Sequence, residues 1–306
     1  MTTTTTTMSS SSLSFEDEIR ATDNFLSEKQ LEEVDAFLNR YVRLNDAGAL
    51  STKTVEDEFV SGTYFWSRDS QPQTAIERYC ETLCSYFMEK KNAFSSLFGD
   101  AVGCEYWVQD VAHDEAPKAY HTDCVLEREE EEGGELLLRK KHPLLSTVYY
   151  GKTERGGATV AFDEEEYEKM RKCVLVKPRR NRLFAFRGDM WHGVCRDDGE
   201  GNEEAYQRVT LLVNFWKERP KCAGVFPREM FSSIHDSSSN DAINDDDDET
   251  RREEIDLSTK NDDERVFKMK SGERKAHFAA WEAQNPNVFL EPSASSSSIV
   301  LIEYTE

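Results

Sequence analysis

The chain has 306 residues and carries 38 lysines and arginines against 60 aspartates and glutamates, a formal net charge of −22. Hydrophobic residues make up 38% and aromatics 11%, enough for the core of one large domain with extensions or of two small ones, so disorder throughout is excluded. No apolar run approaches the roughly 18 residues that a membrane-spanning helix needs, and a charge this negative repels phosphate backbones, which counts against nucleic acid as a partner without excluding it.

Residues 1–14 are a Thr/Ser tract without an apolar core or arginines. They read as a disordered leader, neither a secretory signal nor a mitochondrial transit peptide. From Phe15 the pattern turns helical: Leu26, Leu31, Val34, Phe37, Leu38 and Tyr41 recur at three- and four-residue steps, with a helix start at Ser27. A second amphipathic helix is expected from Thr74 to Phe94, with Ile76, Tyr79, Leu83, Tyr86 and Phe87 on one face.

Beyond Val102 the period shifts to that of strands. Short candidates are Cys104–Val111, Ala119–Leu126, Leu144–Tyr150, Ala158–Phe162, Cys173–Lys177, Arg182–Phe186, Gly193–Arg196 and Arg208–Trp216. A helical start followed by short strands predicts a mainly β domain over 15–231, a sandwich or jelly roll supported by N-terminal α-helices. Residues 232–264 form a Ser/Asp/Glu stretch read as disordered, because it lacks the apolar surface to order itself. Residues 265–306 read as a partly ordered extension. Phe267, Phe278, Trp281, Val288 and Phe289 are able to pack, and a serine linker precedes the apolar end Ile299–Ile302.

Seven cysteines, at 80, 84, 104, 124, 173, 195 and 222, are scattered and form no C-x-x-C pair. They read as reduced thiols in a cytoplasmic or nuclear setting. One basic patch interrupts the acidity: Lys177, Arg179, Arg180, Arg182 and Arg187.

Three places carry chemistry. His121 and Asp123 are two apart, so on a strand they present an imidazole and a carboxylate to the same side. Such a pair is either two ligands of a 2-His-1-carboxylate metal site or an ordinary surface pair. His192 follows an apolar strand and a Gly188-Asp189 turn, and is either a buried histidine beside Trp191 or a third ligand. Arg208 opens the apolar strand Arg208–Trp216, on which Arg208, Thr210, Leu212 and Asn214 share a face. If it points inward it needs an anion, and its planar fork suits a carboxylate; otherwise it is an exposed strand start or a protein salt bridge.

In order, His121-x-Asp123, Gly156-Gly157-Ala158-Thr159, Trp191-His192-Gly193 and Arg208-x-Thr210 resemble the Fe(II)/2-oxoglutarate-dependent dioxygenase superfamily. Its prolyl 4-hydroxylase-like branch is the most similar. The resemblance covers about Leu26 to Trp216 and implies a double-stranded β-helix. It implies His121, Asp123 and His192 as iron ligands and Arg208, with Thr210 beside it, as the partner of the far carboxylate of 2-oxoglutarate. Tyr150, in Thr147-Val148-Tyr149-Tyr150, is either a further contact to that co-substrate or a core aromatic. The implied reaction is hydroxylation of a C–H bond on a protein or peptide side chain, releasing succinate and CO2, with ascorbate as a stimulant. Two features depart from the branch: collagen-type members place a lysine where Arg208 stands, and the gap from His192 to Arg208 is longer, through the polar insert at 197–204. Two alternatives remain open: an oxidative nucleic-acid demethylase using the basic patch, and a catalytically inactive scaffold working through its acidic tail.

Overall fold

The computed structural model describes residues 14–46, 62–89, 93–112, 120–130, 136–164, 169–195, 207–226, 252–255, 266–270 and 298–305. The 1–13 leader, most of the acidic tail, and Phe278, Trp281, Val288 and Phe289 lie outside them.

Three helices and fourteen strands are present among these residues. The helices are α1 (Glu28–Asp46), α2 (Ala75–Glu89) and α3 (Ala93–Phe98). The strands are β1 (Ile19–Asp23), β2 (Tyr64–Ser67), β3 (Gly103–Ala112), β4 (Val125–Glu130), β5 (Leu136–Lys141), β6 (Leu145–Tyr150) and β7 (Thr159–Phe162). They continue with β8 (Lys172–Val176), β9 (Arg182–Arg187), β10 (His192–Val194), β11 (Gln207–Trp216), β12 (Glu253–Ile255), β13 (Val266–Lys270) and β14 (Ile299–Thr305).

A seven-stranded sheet runs β12-β1-β9-β6-β11-β3-β2, a five-stranded sheet runs β10-β7-β8-β14-β13, and β4-β5 is a separate hairpin. Within the large sheet every pairing is antiparallel. Alternation then sends successive side chains to opposite faces. Tyr149, Leu183, Ala185, Leu211, Val213 and Phe215 pack with the helices, burying Leu31, Phe37, Ile76, Leu83 and Phe87. Val148, Tyr150, Phe184 and Phe186 face the other way and meet Ala161, Val174, Val176 and Ile299 of the small sheet. This is a jelly roll of two facing sheets with helices on the outer face of the larger one, as the sequence predicts.

Several expectations need correction. The stretch from Phe15 is a short 3-10 turn leading into β1, not a helix. Within the expected Ala119–Leu126 strand, β4 begins at Val125, and among the described residues before it only His121 makes a bridge, to His192. The reading of 232–264 as disordered fails at Glu253–Ile255, which pair with β1. The domain does not end at 231, because β14 is an interior strand of the small sheet, antiparallel to β8 and parallel to β13.

Candidate metal centre

His192 opens β10 and is 4% exposed. Its ring lies 4.9 Å from Phe186, and its Nδ1 is 3.0 Å from the Met190 carbonyl. A carbonyl only accepts, so Nδ1 carries the proton and Nε2 is left with its lone pair. His121 is held against it by both backbone bonds of the bridge, 3.0 Å from His121 N to His192 O and 2.9 Å in return. The two rings are 4.5 Å apart.

Asp123 lies between them. Its Oδ1 is 3.6 Å from His121 Nε2 and its Oδ2 is 3.6 Å from His192 Nε2. One ligating atom from each of the three residues lies within 4.8 Å of the other two, and among the described residues this is the one such group of histidine, cysteine and acidic side chains. Asp123 Oδ2 also accepts from Asn214 Nδ2 at 2.9 Å and from Ser146 Oγ at 3.4 Å, and His142 Nδ1 meets the Asp123 carbonyl at 2.8 Å. Burial opposes ionisation of Asp123, but the imidazoles beside it and the Asn214 amide outweigh burial and hold its carboxyl at about 2. Burial also holds the His192 imidazole below its usual value. A carboxylate and a neutral imidazole are the forms that bind a metal ion. Two imidazole nitrogens and one carboxylate brought together in this way are the donor set of a facial triad. The three residues therefore fit a divalent iron chemically as well as in space.

A second cluster stands on the face of β11 that also carries Asn214. Arg208 is 2% exposed, yet no protein carboxylate pairs with it among the described residues. Its Nη2 donates to Thr159 Oγ1 at 3.0 Å, its Nη1 reaches Thr210 Oγ1 at 3.5 Å, and its guanidinium lies 5.4 Å from the centre of the Tyr150 ring. Its Nε is buried with no acceptor. A buried cation with an orphaned donor is costly unless an anion joins it, so the pocket suits a carboxylate ligand. The Tyr150 hydroxyl pairs with Thr159 Oγ1 at 2.5 Å, and burial pushes that phenol up. The paired glycines make this approach possible. Gly156, at φ +107°, lies so close to the Arg208 stem that an added Cβ would sit 2.9 Å from Arg208 Cδ. A Cβ on Gly157 would fall 1.4 Å from the Cys195 carbonyl oxygen, so only glycine permits the β7–β10 approach there.

The six residues singled out from sequence thus form two groups, His121/Asp123/His192 and Arg208/Thr210/Tyr150. Asn214, Ser146, His142 and Thr159 complete them. Asn214 had a signal in the alternation, being polar on the inward face of an apolar strand. His142 had none, since its role depends on a backbone carbonyl that sequence does not display.

The basic patch is not free. Arg179 and Arg182 pair with Asp23, Arg180 with Glu28, and Arg187 with Glu18 and Asp189. Among the described residues no helix is long and apolar enough to cross a membrane.

No protein-family model matches the sequence, and no curated protein matches it. Solved structures do. A prolyl-4-hydroxylase from Pseudomonas putida is similar over 66% of this chain and 94% of its own, at 15% identity and a TM-score of 0.39. The viral collagen prolyl hydroxylase of Paramecium bursaria Chlorella virus-1 is similar over 68% of this chain and 97% of its own, at 12% identity and a TM-score of 0.35. HygX from Streptomyces hygroscopicus, solved with nickel and 2-oxoglutarate bound, is similar over 65% of this chain and 81% of its own, at 10% identity and a TM-score of 0.36.

Proposed function

We propose that the protein is an Fe(II)- and 2-oxoglutarate-dependent dioxygenase that hydroxylates a C–H bond on a protein or peptide side chain. One observation carries this reading: a His-Asp-His group poised for a metal is tied through Asp123 to Asn214 on β11, the strand whose same face carries Arg208, a buried arginine that no carboxylate among the described residues pairs with. His121, Asp123 and His192 would hold the iron, and Arg208, with Thr210 and Tyr150 around it, would receive the far carboxylate of 2-oxoglutarate. Bound there, the metal and the keto acid supply oxidative chemistry, in which decarboxylation to succinate and CO2 accompanies hydroxylation of the substrate. The chain's own part is to fix the His192 tautomer through Met190, keep Asp123 ionised, and enclose the keto acid between apolar strands.

The protein or peptide target rests on the order of motifs shared with the prolyl 4-hydroxylase-like branch. The nucleic-acid alternative loses its best feature, since four arginines of its patch are engaged by carboxylates. An inactive scaffold leaves the uncompensated Arg208 without a purpose.

The test is succinate formation from 2-oxoglutarate in the presence of Fe(II) and ascorbate, with and without cell-derived peptides. Wild-type protein should release succinate, and His192→Ala should release none. Equal background from both proteins would reject the assignment. The same assay without ascorbate tests its role as a stimulant.

A further inference from the structure

We infer that Asn214, with Ser146 beside it, is the positioning residue for the metal-binding carboxylate, tying Asp123 Oδ2 to the large sheet and leaving Oδ1 free for a divalent cation. The inference rests on the metal site proposed above.

Asp123 needs such support because its backbone, held at the carbonyl by His142, is in no ladder of its own. Residues 122–124 belong to no strand and lie between the His121 bridge and the start of β4 at Val125. Asn214 and Ser146, by contrast, stand within β11 and β6, directly opposite one another in register. Both are 2% exposed. β11 is paired along its length to β3 on one side and over Leu211–Phe215 to β6 on the other, which fixes the backbone that carries both side chains.

An asparagine is a poor choice for the middle of a buried strand on packing grounds, because its amide must find partners there. Its donor finds Asp123 Oδ2 at 2.9 Å, and Ser146 Oγ adds a longer contact at 3.4 Å to the same atom. Two donors occupy one oxygen, and Oδ1 stays turned toward His121 Nε2. A carboxylate held this way offers a cation one oxygen instead of two, which keeps further coordination positions open. Outer hydrogen bonds of this kind commonly govern metal affinity roughly ten- to a hundred-fold.

The test is titration of metal-free full-length protein with Co(II), read by its visible absorption and by calorimetry, without co-substrate or turnover. Asn214→Ala and the better-filling Asn214→Leu both remove the donor, and whichever stays folded carries the measurement. Either should bind Co(II) roughly ten-fold or more weakly and shift its absorption bands, while the melting temperature without metal stays near wild type. Ser146→Ala should weaken binding less, as its longer contact implies. Arg208→Ala should bind Co(II) like wild type. Wild-type affinity and an unchanged spectrum in a folded Asn214 variant would overturn the positioning role. If wild type and His121→Ala bind Co(II) equally, the metal site itself falls, a result distinct from failure at Asn214 alone.

Discussion

Arg208 presents the sharpest question at the scale of a single residue. A guanidinium buried beside Thr159, Thr210 and the Tyr150 ring gains hydrogen bonds and ring contact but, among the described residues, no counter-charge. Truncating one partner of a desolvated charge pair typically costs about 2–5 kcal/mol, or roughly thirty- to several-thousand-fold in affinity. Arg208→Ala should therefore raise the apparent KM for 2-oxoglutarate by that order while leaving Co(II) affinity unchanged. Arg208→Lys should fall between, since lysine keeps the charge and loses the fork. An arginine that merely fills space predicts lower stability with superimposable 2-oxoglutarate saturation curves, and those curves decide between the two. The motifs made this residue visible in the sequence because inward alternation and charge are both one-dimensional signals. Its isolation from carboxylates was not visible, since that depends on every chain segment that folds around it.

At the scale of elements, β6 to β11 were legible because each combines a short apolar alternation with a Gly, Asp or Asn break. β1 was not, because Ile19-Arg20-Ala21-Thr22-Asp23 looks polar until Arg182 is placed against Asp23. The hairpin β4-β5 was hidden by its acidic and basic residues, and β12 by the charge of its surroundings. The helices were clear, yet α1 carries one polar residue on its buried side. Asp35 is 3% exposed, its Oδ2 has no hydrogen-bond donor, and its nearest cation, Lys152 Nζ, is 3.9 Å away. Burial pushes its carboxyl up from 3.8 to about 6. A carboxyl raised on folding favours the folded state below its unfolded value, and that contribution disappears as pH climbs from about 4 through 6. At about 1.4 kcal/mol per pH unit, the ionised group costs about 1–3 kcal/mol at pH 7. Asp35→Asn should raise the melting temperature at pH 7.5 and flatten the stability profile between pH 4 and 7. Identical wild-type and variant profiles by thermal denaturation would rule this out.

For the whole molecule, the decisive feature is how the C-terminal end returns to the core. Apolar content alone marked Ile299–Ile302 as able to pack, but a serine linker and the acidic stretch before it gave no sign of where. β14 enters the small sheet beside β8 and buries Ile299, Val300, Leu301, Ile302 and Tyr304, each 7% exposed or less. Its entry is fixed by Arg182, wholly buried and forked onto Asp23, which also reaches Ser298 through the carbonyl at 3.2 Å and the hydroxyl at 2.8 Å. One arginine thereby joins β1, β9 and β14, elements drawn from both ends of the chain. Burying five such side chains contributes roughly 8–15 kcal/mol at about 1.5–3 kcal/mol each, comparable to the whole stability of an ordinary domain, about 5–15 kcal/mol. A chain cut after residue 231 should therefore lose its cooperative thermal transition and its Co(II) binding together, because β8, which holds β7 and through it β10 and His192, loses its neighbour. The milder change Ile302→Ala should cost about 2–5 kcal/mol, read as a lowered denaturation midpoint at unchanged metal stoichiometry. A 1–231 fragment that melts like the full chain and binds Co(II) with equal affinity would show that the jelly roll closes without its last strand.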